Sequence, residues 1–138
     1  MDPYLPYSRQ QQIDNMRGRL LNFSSLKEGW MGDGQGEVPE EKFVLQVSSV
    51  LLGVLGSSSK IPVPAVYPTP EGGVQAEWDF SSGWAIDLEF DPKSNEVHGG
   101  AYHQGVGSQL IDHEYHGYYD PSDVTAMVRW LESYVGTK

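Results

Sequence analysis

The sequence contains no cysteine, and it has only nine lysine and arginine residues against 19 aspartate and glutamate residues. The absence of cysteine excludes disulfides, thiol catalysis and cysteine-ligated zinc or iron–sulfur sites. A formal net charge of −10 argues against direct nucleic-acid binding, because neutralising phosphates requires lysine and arginine. No apolar run approaches the roughly 20 residues of a membrane span, so we expect no membrane association.

The length of 138 residues and the hydrophobic content of 38% predict a single domain, residues 1–138, with its own core. The first residues lack both a basic start and an apolar run, so we expect no signal peptide and a cytoplasmic location. The charge is unevenly distributed. Residues 61–138 contain twelve acidic and three basic side chains, a balance of −9.

Three segments have the apolar spacing of amphipathic helices. Ser8 and Gln11 fit a capping box at the start of a helix over 9–23. A broad apolar stripe predicts a second helix over 39–55. Asp120, followed by a proline, is a typical N-cap for a C-terminal helix.

The middle of the chain changes to a period of two, which is typical of strands. Residues 74–80 and 84–90 alternate apolar and polar side chains around a three-residue loop that ends at Gly83, and they predict a β-hairpin. Residues 96–103 predict a further strand, and the proline-containing segment 61–70 at best an edge strand. We therefore expect an α+β fold, an antiparallel β-meander of three to four strands packed on one face by two to three helices.

The polar face of this hairpin carries acidic side chains alone. The predicted register places Glu77 opposite Asp87 and Gln75 opposite Glu89, with Asp79 on the same face. Opposed like charges destabilise a sheet, and neither strand contains a lysine or arginine that would offset them. The face is therefore either a solvated surface or a partner-binding surface. The second interpretation predicts that Glu77, Asp79, Asp87 and Glu89 contact a basic protein.

The four histidines all lie between residues 98 and 116. Imidazole is the commonest metal ligand, which makes His103, His113 and His116 the metal candidates. However, His113 and His116 are three residues apart, whereas the histidines of helical zinc hydrolases are four apart. The sequence therefore predicts no metal, no cofactor and no catalytic residue.

Two stretches of the chain also resemble a known family. They are Leu26-Lys27-Glu28-Gly29-Trp30 with the glycine-rich loop after it, and the segment Pro-Thr-Pro-Glu-Gly-Gly-Val-Gln-Ala-Glu-Trp at 68–78. They are similar to a family of small, largely uncharacterised bacterial proteins with a Gly-Trp-Asp-Gly-Tyr-Gly-like loop and a Pro-Thr-Pro-Asp-Gly-Gly-Val-x-Leu-Glu-Trp hairpin. Here Met31 follows the tryptophan in place of aspartate, and Glu71 replaces a second aspartate. The resemblance implies an interaction protein from a toxin–antitoxin-like or defence locus, and it assigns no catalytic residue.

Three functions remain open at this point. The leading one is a non-enzymatic acidic binding module, such as an antitoxin, immunity protein or inhibitor, that engages a more basic protein. The first alternative is a histidine-dependent hydrolase or metal enzyme that uses residues 98–116. The second is a nucleic-acid mimic that blocks a nucleic-acid-binding enzyme, since ordered carboxylates can imitate phosphates.

Overall fold

The computed structural model describes residues 8–81, 83–103 and 111–135. Three helices and five strands follow one another along this part of the chain, in the order α1 (Arg9–Phe23), α2 (Glu41–Ser57), β1 (Ala65–Pro68), β2 (Val74–Asp79), β3 (Trp84–Phe90), β4 (Glu96–His103), β5 (Ile111–Tyr118) and α3 (Pro121–Glu132). None of the helices in the described ranges is long and apolar enough to cross a membrane.

The five strands form one antiparallel sheet whose order, β1-β2-β3-β4-β5, is the order of the chain. This arrangement confirms the predicted α+β meander, but it has five strands where three to four were expected. The additional strand is β5, which begins at Ile111. Its run of histidines, tyrosines and a glycine lacks the apolar alternation by which a strand is recognised in a sequence.

The helix ends follow the predicted capping chemistry. The Ser8 hydroxyl accepts a hydrogen bond from the Gln11 amide at 3.2 Å, and the Gln11 side chain accepts one from the Ser8 amide at 3.0 Å. The Asp120 carboxylate accepts from the Asp123 amide at 2.9 Å and caps α3. By contrast, α2 begins two residues later than predicted, after Glu40, whose side chain makes no capping hydrogen bond.

The predicted hairpin register is confirmed in full. Trp78 lies opposite Ile86, and Glu77 lies opposite Asp87. The connecting turn requires Gly83 to adopt a φ of +94°, a left-handed conformation that costs glycine little. The Phe80 amide donates to the Trp84 carbonyl at 2.8 Å and closes the turn.

One face of the sheet packs against the helices. Its buried side chains include Trp78, Leu88 and Phe90, which join residues of α1, α2 and α3 in a hydrophobic cluster. Trp130 of α3 lies directly on Gly99 of β4, where a Cβ atom would come within 3.0 Å of its ring. The helices therefore cover one face, and the alternation of the strands turns the remaining side chains to the other.

Candidate functional site

The sheet face turned away from the helices, called here the outer face, is rich in charge of one sign. No lysine or arginine occurs in any of the five strands. The side chains that β2 to β5 contribute to this face include Gln75, Glu77, Asp79, Asp87, Glu89, His98, Tyr102, Glu114 and His116. Glu77, Asp79, Glu89 and Glu114 are exposed, and Asp87 is partly buried.

A row of acidic positions crosses the outer face perpendicular to the strands. Glu77 pairs with Asp87, Asp87 with Gly100, and Gly100 with Glu114. Burial raises the pKa of the Asp87 carboxyl, and the charges of Glu77 and Glu89 raise it further, whereas a hydrogen bond with the Gly100 backbone acts in the opposite direction. The Asp87 carboxylate is therefore held at a position that disfavours its charge.

A groove of about 610 Å³ lies above Gly100, in the middle of this row. It is lined by side chains of Asp87, Tyr102 and Glu114 among others. The Tyr102 hydroxyl would be 3.1 Å from a Cβ atom at Gly100, so the tyrosine leans over the glycine. Burial, followed by the charges of Asp87 and Glu114, raises the pKa of Tyr102. Because glycine has no side chain, the outer face is concave at Gly100, between the carboxylates of Asp87 and Glu114.

The four positions predicted to bind a partner thus share the outer face. Glu77, Asp87 and Glu89 lie in adjacent positions of β2 and β3. The Gln75 side-chain amide donates to the Glu77 carboxylate at 3.0 Å, and this hydrogen bond restricts the rotation of the Glu77 side chain. Asp79 lies opposite Ala85 near the turn and, with Glu77 and Asp87, lines a smaller depression of about 160 Å³. Their role as a partner surface stays a prediction.

Beside this acidic row, the pairing of β4 with β5 brings two histidines together. His98 lies opposite His116, and their rings stack at a centroid distance of 4.7 Å with 15° between their planes. The Glu96 carboxylate lies against both rings. Its Oε2 is 3.3 Å from His98 Nε2 and its Oε1 is 3.4 Å from His116 Nε2. One ligand atom from each of these three residues lies within 4.8 Å of the other two.

The structure therefore separates the histidine candidates. His116 lies in this group. His103 instead packs edge-on against Trp84, with ring centroids 5.0 Å apart. The backbone of His113 pairs with Ala101, but its side chain lies outside the described residues.

Sequence reasoning missed Glu96 and His98 as potential ligands. Their spacing of two within a predicted strand already places both on one face, and this signal was available in the sequence. The position of His116 opposite His98 could not be predicted from the sequence, because it depends on the pairing of β4 with β5.

No family model, no curated protein and no solved structure matches this chain. The resemblance to the small bacterial family therefore stays a prediction, and the functional argument rests on the geometry of the outer face.

Proposed function

We propose that this chain is a non-enzymatic protein-binding module whose outer face engages a more basic protein, in the manner of an antitoxin, immunity protein or inhibitor. The observation that carries the proposal is the row of neighbouring carboxylates on an exposed sheet face without a lysine or arginine in any strand. This arrangement costs stability, because Glu77 and Asp87 are directly opposed and Asp87 is partly buried. A basic partner offsets both costs.

The groove above Gly100 suits a lysine or arginine side chain of that partner. Asp87 and Glu114 flank it, and carboxylates form short charge-assisted hydrogen bonds with guanidinium and ammonium groups. Tyr102 adds an aromatic ring at its wall, which attracts a cation over its face. The surrounding charge of Glu77 and Glu89 steers a basic surface towards the groove and raises the association rate.

Charge reversal on the outer face tests this proposal. Glu77→Lys and Asp87→Lys are compared with Glu28→Lys, which makes the same change in net charge at an exposed loop position. The wild-type protein is used to capture its partner from a cell extract, and association rates of the captured protein are then measured for each variant. We expect both outer-face variants to associate more slowly than wild type, with a difference that shrinks as salt is raised.

The same variants separate binding from folding. Glu77→Lys replaces opposed like charges with opposed unlike charges, so its free energy of unfolding should be unchanged or higher by about 0.2–1 kcal/mol. Loss of binding without loss of stability therefore supports a partner surface. If both outer-face variants associate as fast as Glu28→Lys at low salt, the proposal is wrong and the charge serves solubility. Capture of a nucleic-acid-binding enzyme, with nucleic acid competing for the same face, would instead support the mimic.

A further inference from the structure

We propose that Glu96, His98 and His116 form a binding site for a divalent transition-metal ion of the zinc class. This proposal does not rest on the partner surface proposed above, because metal binding needs no second protein, although His98 and His116 line the same groove. Its donors are two imidazole nitrogens and one carboxylate, a set that suits Zn²⁺, Ni²⁺ and Cu²⁺ better than Mg²⁺ or Ca²⁺, which prefer oxygen ligands alone. Three protein ligands also leave a coordination position open to water.

The distances between the donor atoms fit one ion. Zinc binds imidazole nitrogen and carboxylate oxygen at about 2.0–2.2 Å, so two donors of a tetrahedral site are about 3.3–3.5 Å apart. Each imidazole nitrogen lies at this distance from a different oxygen of the Glu96 carboxylate, 3.3 Å from Oε2 for His98 and 3.4 Å from Oε1 for His116. One donor atom from each of the three residues lies within 4.8 Å of the others, so a small adjustment brings them to one ion. Both nitrogen–oxygen distances are longer than the roughly 2.7–2.9 Å of a charge-assisted hydrogen bond, so the Glu96 carboxylate forms no tight hydrogen bond with either ring.

The remaining adjustment is a rotation of the two imidazoles. The rings are stacked nearly parallel, so their nitrogen lone pairs converge on a common point only after each ring turns about χ2. That torsion is broad, and the side chains of His98 and His116 are 55% and 56% exposed, so each ring can turn on its solvent-facing side. The paired strands meanwhile hold the Cβ atoms of directly opposite residues roughly 4.5–5.5 Å apart.

The charge around the site favours a cation. Glu89 lies opposite His98 on the neighbouring strand, and it adds a carboxylate beside the donors without belonging to the group of three. The sequence predicted no metal because the spacing of His113 and His116 differs from that of helical zinc hydrolases, and no sequence pattern showed which histidines converge in space. The pairing of β4 with β5 supplies that geometry, with Glu96 and His98 as partners of His116.

Zinc titration of the tag-free, chelator-treated protein tests the site. Isothermal titration calorimetry with ZnCl₂ should show one equivalent bound, and magnesium in large excess should not compete. His98→Ala, His116→Ala and Glu96→Gln should each weaken binding by at least about tenfold, since even the loss of an outer-shell partner costs 10–100-fold. Imidazole nitrogen resonances of His98 and His116 should shift with zinc in the wild-type protein.

Matched controls keep the result specific. Glu114→Gln removes a carboxylate from the same face, and His103→Gln and His113→Gln remove the other histidines of this region, so all three should bind as wild type. Circular dichroism of every variant checks that the fold is retained. The proposal is overturned if the wild type fails to bind zinc, if the three ligand variants retain its affinity, or if His103→Gln or His113→Gln abolishes binding.

Discussion

Trp78 offers the sharpest test of the core, because it combines nearly complete burial with a hydrogen bond at the end of its side chain. It is 2% exposed, and its indole Nε1 donates to the Pro62 carbonyl at 2.7 Å. A buried tryptophan removes roughly 200 Å² from water, which corresponds to about 5 kcal/mol at 25 cal/mol per Å². Alanine keeps part of that area but leaves a cavity, so Trp78→Ala should lower the free energy of unfolding by about 3–5 kcal/mol.

A second variant at the same position separates burial from hydrogen bonding. Trp78→Phe keeps most of the apolar area and loses the hydrogen bond to Pro62. Because Pro62 is exposed, water can reach the released carbonyl, and the cost should be only about 1 kcal/mol. Leu45→Ala, at a position on α2 that is 49% exposed, is the control for truncation and should change stability by less than about 0.5 kcal/mol.

Urea unfolding followed by far-ultraviolet circular dichroism gives all three values from the midpoint at constant m. The order Trp78→Ala, Trp78→Phe, Leu45→Ala, from most to least destabilised, is the expected result. If Trp78→Ala costs no more than Leu45→Ala, the assignment of the buried sheet face is refuted.

Two further predictions concern pH. Asp87→Asn should be more stable than wild type at pH 7. The raised pKa means that the folded state favours the protonated carboxyl, so the charged carboxylate lowers the stability of the wild type at pH 7. The stability advantage of Asp87→Asn should therefore vanish as the pH falls below 3.8, the ordinary pKa of aspartate, where the wild-type carboxyl is protonated in both states. Urea midpoints at pH 7 and pH 3 check this, and an equal difference at both would contradict it. The Tyr115 hydroxyl donates to the Asp123 carbonyl at 2.9 Å, and burial raises its pKa to about 12. Wild type should therefore lose stability from about pH 10 to 12, whereas Tyr115→Phe should start about 1 kcal/mol lower and show a smaller alkaline loss in thermal melts.

The hairpin could be predicted residue by residue because its register follows from local information. Alternation from Val74 to Phe90 and one glycine at the turn leave a single pairing that places the alternating large apolar side chains on one face. The acidic positions on its other face followed from the same register. Prediction at this level needed no knowledge of the rest of the chain.

β5 and the histidine pair could not be predicted in this way. The inward positions of β5 include a tyrosine, Tyr115, and a glycine, Gly117. This pair does not form the apolar alternation by which a strand is recognised in a sequence. Tyr115 is stabilised in place by Trp130, a residue of the helix that follows, with ring centroids 5.6 Å apart. The strand therefore forms because β4 and α3 provide pairing and packing for it, and both are tertiary contacts.

The chain-order arrangement of the sheet has a consequence for how the molecule folds. β1 to β4 are joined by short connections, and each strand pairs with the one formed just before it. The entropy lost in closing such loops is small, so the sheet can grow strand by strand from the β2–β3 hairpin. The helix contacts close longer loops, because α2 contacts α3 although all five strands lie between them in the chain. The contact of α3 with α2 therefore closes a longer loop than any pairing of neighbouring strands and carries a larger entropic cost.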